Sequence, residues 1–245
     1  MRYLGGKSRI ANQVAGYINS IRRQGQSYWE PFVGSAWILS KIKGVGPNYA
    51  SDANGHLIAM WQALQGGWDP PSVVSEELYK DIQDDQASYP PELVAFVGFG
   101  CSFGGKWFGG YARGEGRNWA AEAKDSLRKK IARCQPITFF HADFISCQPP
   151  QRDMVIYCDP PYQYTTGYRN VPAWNPSAFW ERVQFLSREG HTIVISEYHA
   201  PSWLSLVLEM ETKTNLRTKK EGRANRTERL FVAGDTPSMM QLRLF

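Results

Sequence analysis

Ser27-Tyr28-Trp29-Glu30-Pro31-Phe32-Val33-Gly34-Ser35-Ala36 is the segment on which the reading of the fold turns. Residues 27–32 form a short aromatic and apolar run interrupted by one acid, the composition of a buried strand. Small residues at 33–34 then make a turn, and the spacing of Ile38 and Ile42 predicts a helix running to Gly44. A second strand is expected over 48–51 with Asp52 at its end, followed by a helix over 54–64. Strand, helix, strand, helix implies parallel pairing through right-handed crossovers. Upstream, Ile10, Val14, Tyr17, Ile18 and Ile21 recur at helical spacing, with Gly25 as the stop.

Gly66-Gly67-Trp68-Asp69-Pro70-Pro71 is a strong breaker and marks a boundary. Residues 72–133 change character: an acidic helix over 75–86, an apolar segment over 92–99, a Gly/aromatic hairpin or loop over 101–116, and a basic helix over 120–133. The α/β rhythm then resumes, with strands expected at 137–142, 154–158 and 192–196, a helix at 177–187, and two last strands at 207–214 and 228–233. The reading is therefore an α/β, mostly parallel sheet domain formed by residues 1–71 and 134–245, interrupted by an inserted, mainly helical unit at 72–133.

The 245 residues are enough for one sizeable core, and 42% hydrophobic with 21% charged residues excludes disorder. The longest apolar stretch, residues 93–101, has nine residues including two glycines and is too short to cross a bilayer. Polar Asn12, Gln13 and Asn19 interrupt what would have to be the apolar part of a leader. A cytoplasmic location and no membrane partner are expected. Cys101, Cys134, Cys147 and Cys158 are spaced by 33, 13 and 11 residues, which fits no zinc or redox pattern, and no His-x-x-x-His pair occurs, so no metal is expected.

The net charge of +5 is unevenly spread: residues 1–26, 101–133 and 213–229 each carry a net +5, and the remainder is acidic. Two of these blocks are also rich in Gly, Asn and aromatics, the residues with which a groove tracks phosphates and stacks bases. A nucleic acid partner follows, with Lys124, Arg128, Lys129 and Lys130 of the basic helix as phosphate contacts.

Tyr157-Cys158-Asp159-Pro160-Pro161-Tyr162 carries the chemistry. An apolar strand ends in a carboxylate, two prolines stiffen the backbone, and an aromatic ring follows. In open parallel sheets, sites lie at the carboxyl ends of strands. To make the exocyclic amine of a nucleobase nucleophilic, both of its N–H bonds need acceptors. Asp159 and the Pro160 carbonyl supply two on a rigid frame, with Tyr162 as a stacking face. Glu30 and Asp52 end the first two strands, where acids can hold a nucleotide-like ligand, and Asp143-Phe144 repeats the arrangement after the third. Gly5-Gly6-Lys7-Ser8 is no phosphate-binding loop, because the required upstream glycine would fall on Met1. Ser196 and His199 lack the Gly-x-Ser-x-Gly elbow of a hydrolase.

Taken together, Arg2-Tyr3-Leu4-Gly5-Gly6-Lys7, Glu30 to Ala36, Asp52, His141-Ala142-Asp143-Phe144 and Asp159-Pro160-Pro161-Tyr162 resemble, in order and spacing, the Dam-type adenine-specific DNA methyltransferases. The resemblance implies S-adenosylmethionine as donor, a Rossmann-like sheet with a reversed final hairpin, and DNA recognition by residues 72–133. It also implies roles by position. Tyr3, Gly5, Gly6, Lys7, Glu30, Phe32 and Gly34 would border the methionine end of the cofactor, Asp52 its ribose, and Asp143 with Phe144 its adenine. Asp159, Pro160 and Tyr162 would hold the target adenine, Phe108 would wedge into the duplex, and Arg113 would read a base. Arg2 and Gly109 stand where readers of GATC have a lysine and an asparagine, so a different or relaxed target is implied. Ala36 replaces the second glycine of the usual Phe-x-Gly-x-Gly, a mild change on a helical backbone. The alternatives are an RNA adenine methyltransferase and a catalytically silent DNA-binding protein of the same fold.

Overall fold

The apolar spacing noted between Ile10 and Ile21 becomes one buried face: Val14, Ala15, Ile18 and Ile21 of helix α1 (Ala11–Ile21) face the core. A computed structural model describes residues 1–134, 136–161, 174–213 and 225–234. After α1 come strand β1 (Tyr28–Glu30), strand β2 (Asn48–Asp52) and helix α2 (Gly55–Gln65). Helices α3 (Glu76–Asp84), α4 (Pro91–Ala95) and α5 (Trp119–Ile131) follow, α4 running on into a π-helical turn over Phe96–Gly100. Strands β3 (Ile137–His141) and β4 (Val155–Cys158), helix α6 (Pro176–Arg188), and strands β5 (Thr192–Glu197), β6 (Ser205–Lys213) and β7 (Asn225–Ala233) complete the described chain.

The seven strands form one sheet in the order β3-β2-β1-β4-β5-β7-β6. The first five are parallel, and β7 is inserted antiparallel between β5 and β6. All five parallel strands therefore end at one edge, the place where Glu30, Asp52, Asp143, Asp159 and Glu197 lie.

Alternation along β1 sorts the core into two layers: Tyr28 faces α1, α2 and the helices of residues 72–133, while Trp29 faces α6 with Phe144, Ile156 and Ile193. The inserted residues contribute Val74, Tyr79, Ile82, Val94, Phe96 and Leu127 to the first layer, so they share a core with the sheet's own helices. Side chains cap four of the helices: Asn54, Ser75, Asn118 and Asn175 each accept a backbone N–H from the first turn of α2, α3, α5 and α6.

One expected helix is absent. Between Ala36 and Gly44 the chain makes only a 3-10 turn at Leu39–Lys41. Gly34 (φ 44°) and Ala36 (φ 54°) both adopt left-handed backbone, which breaks helix entry and uses up the residues of the first turn. Trp61 holds this irregular turn from α2: it is fully buried, stacks on Phe139 at 5.9 Å, and donates its indole N–H to the Gly34 carbonyl at 3.0 Å. Trp61→Phe keeps a ring against Phe139 but leaves that carbonyl without its donor. A loss of about 1–3 kcal/mol of unfolding free energy in urea is expected, and an unchanged midpoint and slope would contradict the role.

Candidate active site

The site is assembled at the carboxyl edge of the sheet. Asp159 follows β4, and its Oδ1 lies 3.2 Å from the Lys7 ammonium, whose second partner is Glu228 of β7 at 2.9 Å. Lys7 is 6% exposed. Burial acts to lower its pKa, but Asp159 and Glu228 outweigh that and hold it above the ordinary value, so the ammonium stays charged. One cation from the N-terminal segment thus ties the end of β4 to the reversed strand beside β5.

Around this pair the edge is rich in acids. Glu30 is buried and accepts the Tyr28 hydroxyl at 2.8 Å, and burial pushes its carboxyl well above the usual range. Glu197 ends β5 and accepts the Tyr198 N–H at 2.8 Å, with burial raising its pKa to about 7. It lines a small pocket with Pro160, Trp174, Pro176, Phe179, Trp180 and His199. Asp52 accepts the N–H groups of Gly34 and Asn54, each at 3.0 Å, and burial raises it to about 6. The carboxylate of β2 thereby fixes the turn after β1.

Close packing explains the N-terminal glycines. Gly5 has φ 80°, and a Cβ on Gly6 would come within 3.1 Å of the Tyr3 carbonyl. A Cβ on Gly34 would meet the Tyr3 ring at 3.0 Å. Tyr3, Gly6, Gly34 and Asp52 are therefore brought together, as are Lys7 and Asp159. Phe32 sits in an aromatic cluster with Phe144, Trp174 and Phe179. Phe144 is buried there and shows no open ring face, and Asp143 caps its own turn through the Ile145 N–H at 3.3 Å. Tyr162, and most of the basic block at 213–229, lie outside the described residues.

Several expectations change. Ala36 is not on helical backbone but in the left-handed region, the conformation for which glycine is suited. Lys130 is not a phosphate contact: it is buried and donates to the Ser35 carbonyl. Phe108 is half-buried against Tyr79 and Trp107. The exposed aromatic of the hairpin is Phe103, 68% exposed. Of the remaining cations, Arg2 stacks on Trp119 at 3.4 Å, and Arg113 pairs with Glu76 at the surface at 2.5 Å. Lys124 and Arg128 share Asp69 at 2.7 and 3.3 Å. Lys129 is exposed. Glu197 closes an apolar run, the signal that marks Glu30 and Asp52, and was missed; Glu228 had no such signal, since only the reversed pairing of β7 on β5 places it.

No group of three metal-ligating side chains occurs among the described residues, whose four cysteines are free thiols, and none of their helices is long and apolar enough to cross a membrane.

Five parallel strands, a reversed seventh strand and an acid at the end of each central strand define a Rossmann-like methyltransferase sheet. The family model of the D12 class N6 adenine-specific DNA methyltransferases matches residues 3–94 and 106–229, and the chain belongs to that family. Membership implies S-adenosylmethionine as the methyl donor. No curated protein matches the chain. Among solved structures, a Thermoplasma acidophilum protein is 11% identical with a TM-score of 0.43, over 92% of this chain and 88% of that one. An rRNA methylase from Streptococcus thermophilus is 8% identical with a TM-score of 0.38, over 94% and 98%.

Lys7→Met removes the ammonium that contacts both Asp159 and Glu228. Two poorly solvated carboxylates then face each other. A loss of about 3 kcal/mol is expected at pH 8. Urea unfolding measures it, and an unchanged midpoint and slope would contradict the electrostatic account.

Proposed function

We propose that the protein transfers a methyl group from S-adenosylmethionine to the exocyclic 6-amino group of an adenine drawn out of DNA. The observation that carries this is the fixed carboxylate of Asp159: it stands at the end of β4, oriented through Oδ1 by Lys7, with the Pro160 carbonyl next in sequence. A carboxylate oxygen of Asp159 accepts one N–H of the amine and the Pro160 carbonyl accepts the other, which frees the nitrogen lone pair from the ring. Tyr162 offers the stacking face. Positioning and hydrogen bonding do the work, with no covalent intermediate on the protein.

S-adenosylmethionine, when bound, supplies a methyl group made electrophilic by a sulfonium centre. The fit rests on the acidic edge, which favours a cation, and on the crowded approach of Gly34 to Tyr3. Asp52 takes the ribose hydroxyls, Asp143 the adenine amine, and Tyr3, Gly5, Gly6, Phe32 and Gly34 border the methionine end. Lys7 serves the acceptor side, since its ammonium is committed to Asp159 and Glu228. Buried Glu30 acts through its charge and through Tyr28.

Residues 72–133 are the target-recognition unit, working with the catalytic residues 1–71 and 134–245. Phe103, exposed where the 103–105 turn meets Leu4, takes the wedge role in place of Phe108, the Leu4 N–H bonding the Gly105 carbonyl at 3.0 Å. Arg113 reads a base edge, and Arg2, Lys124 and Arg128 follow the backbone. The acids now holding Arg113 and Arg128 form exposed, solvent-screened pairs, which a nucleic acid can replace.

Two outcomes test the reading. Initial rates of methyl incorporation into a DNA duplex and into RNA of the same sequence should show transfer to DNA. Asp159→Ala should lower the DNA rate by about 10²–10³ or more while leaving cofactor affinity intact. Incorporation into RNA alone would replace the substrate, and none into either would leave a silent binding protein. Separately, an ionised Asp52 is the better acceptor for hydroxyls, and its carboxyl titrates at about 6. Cofactor affinity by calorimetry should therefore rise from pH 5 to pH 7. Asp52→Asn should flatten that rise and weaken binding by roughly ten- to a hundredfold.

A further inference from the structure

Lys130 is a costly residue for its place. It lies on the buried face of α5 with Ala120, Ala123 and Leu127, and is 3% exposed. A leucine would cover the same core without the cost of desolvating a cation. The ammonium is instead spent on two contacts with one stretch of chain. It donates a hydrogen bond to the Ser35 carbonyl, and it lies 3.9 Å from the centre of the Trp37 ring. Burial lowers its pKa to about 7, the Glu30 carboxyl acting the other way. Ser35 sits between the two left-handed residues Gly34 and Ala36, in the turn whose Gly34 N–H is bonded to Asp52. Off that buried face the same helix carries exposed Arg128 and Lys129.

We infer that Lys130 is a positioning residue that clamps the 33–36 turn to α5, so that the helix contacting DNA and the turn bordering the cofactor respond to each other's ligand. The clamp itself stands on the contacts above. The link between ligands rests on the proposed function. A strained turn of this kind has few backbone bonds: Ala36 N–H to Val33 O at 2.7 Å, Val33 N–H to Ser51 O at 3.0 Å and Ser40 N–H to Ala36 O at 3.2 Å. Anchoring the carbonyl between the two strained residues is the direct way to hold it. Because the anchor comes from another unit of the chain, any shift of α5 on a duplex is felt at Ser35.

The test compares the full-length wild type with Lys130→Met and Lys130→Arg. In ligand-free protein, hydrogen exchange of peptides covering residues 33–37 should quicken by about tenfold in Lys130→Met. Peptides of β4 and β5 should be unchanged, and Lys130→Arg, which keeps a donor and a cation, should restore slow exchange. Calorimetry with S-adenosylhomocysteine, with and without a DNA duplex, then reads the coupling. The wild type should bind it at least ~5-fold more tightly with DNA present, and in Lys130→Met the ratio should fall to one. Unchanged exchange at 33–37, a wild-type ratio of one, or a ratio preserved in Lys130→Met each overturns the inference. A wild type that binds neither ligand instead sinks the proposed function, and the exchange arm still decides the clamp. Should Lys130→Met fail to fold, Lys130→Leu, which covers the same core but supplies neither donor nor cation, makes the same comparison.

Discussion

A single buried ammonium, that of Lys7, holds the carboxyl edge of the sheet together. Parallel strands deliver their ends to one side, and in this chain those ends carry acids: Glu30, Asp52, Asp159 and Glu197, with Asp143 just beyond β3 and Glu228 brought in by the reversed β7. So many carboxyls in poorly solvated surroundings cannot all stay ionised and close without compensation. Lys7 compensates for two of them directly, and burial pushes Glu30, Asp52 and Glu197 toward the neutral form. The result is an edge that is acidic yet graded, with the charge concentrated beside the rigid Asp159-Pro160 frame.

The same edge explains why the turn after β1 tolerates strain. Asp52 accepts the Gly34 N–H, Trp61 donates to the Gly34 carbonyl, and Lys130 donates to that of Ser35. Three elements, β2, α2 and α5, thus fix one short loop in a backbone conformation that costs about 1–2 kcal/mol for an L-residue such as Ala36. A loop held so firmly before any ligand arrives lowers the ordering cost of binding.

Much of this was legible in the sequence because it rests on local rules. The period of Ile10 to Ile21 and the acid at the end of each apolar run follow from helix and strand chemistry. What was not legible depends on distant partners. The helix expected through Ile38 and Ile42 has the right spacing, but its start is consumed by left-handed Gly34 and Ala36, and nothing local marks an alanine for that conformation. Phe108 and Phe103 are equivalent by composition. Only the packing of Phe108 on Tyr79 and Trp107 leaves Phe103 as the exposed ring. Lys130 reads as one more cation of a basic helix until the helical period places it on the face with Leu127. Glu228 lies 69 residues from Asp159 in the sequence, and only the antiparallel register of β7 brings it to Lys7.

The central claim is that this edge presents the exocyclic amine of adenine in DNA to a methyl donor. Complete enzymatic digestion of a plasmid after incubation with the protein and S-adenosylmethionine carrying a deuterated methyl group, followed by mass spectrometry of the nucleosides, tests it most directly. The account predicts the heavy methyl on N6 of deoxyadenosine and on no other nucleoside. Label on deoxycytidine, or none on DNA while a parallel RNA digest contains it, would contradict the account.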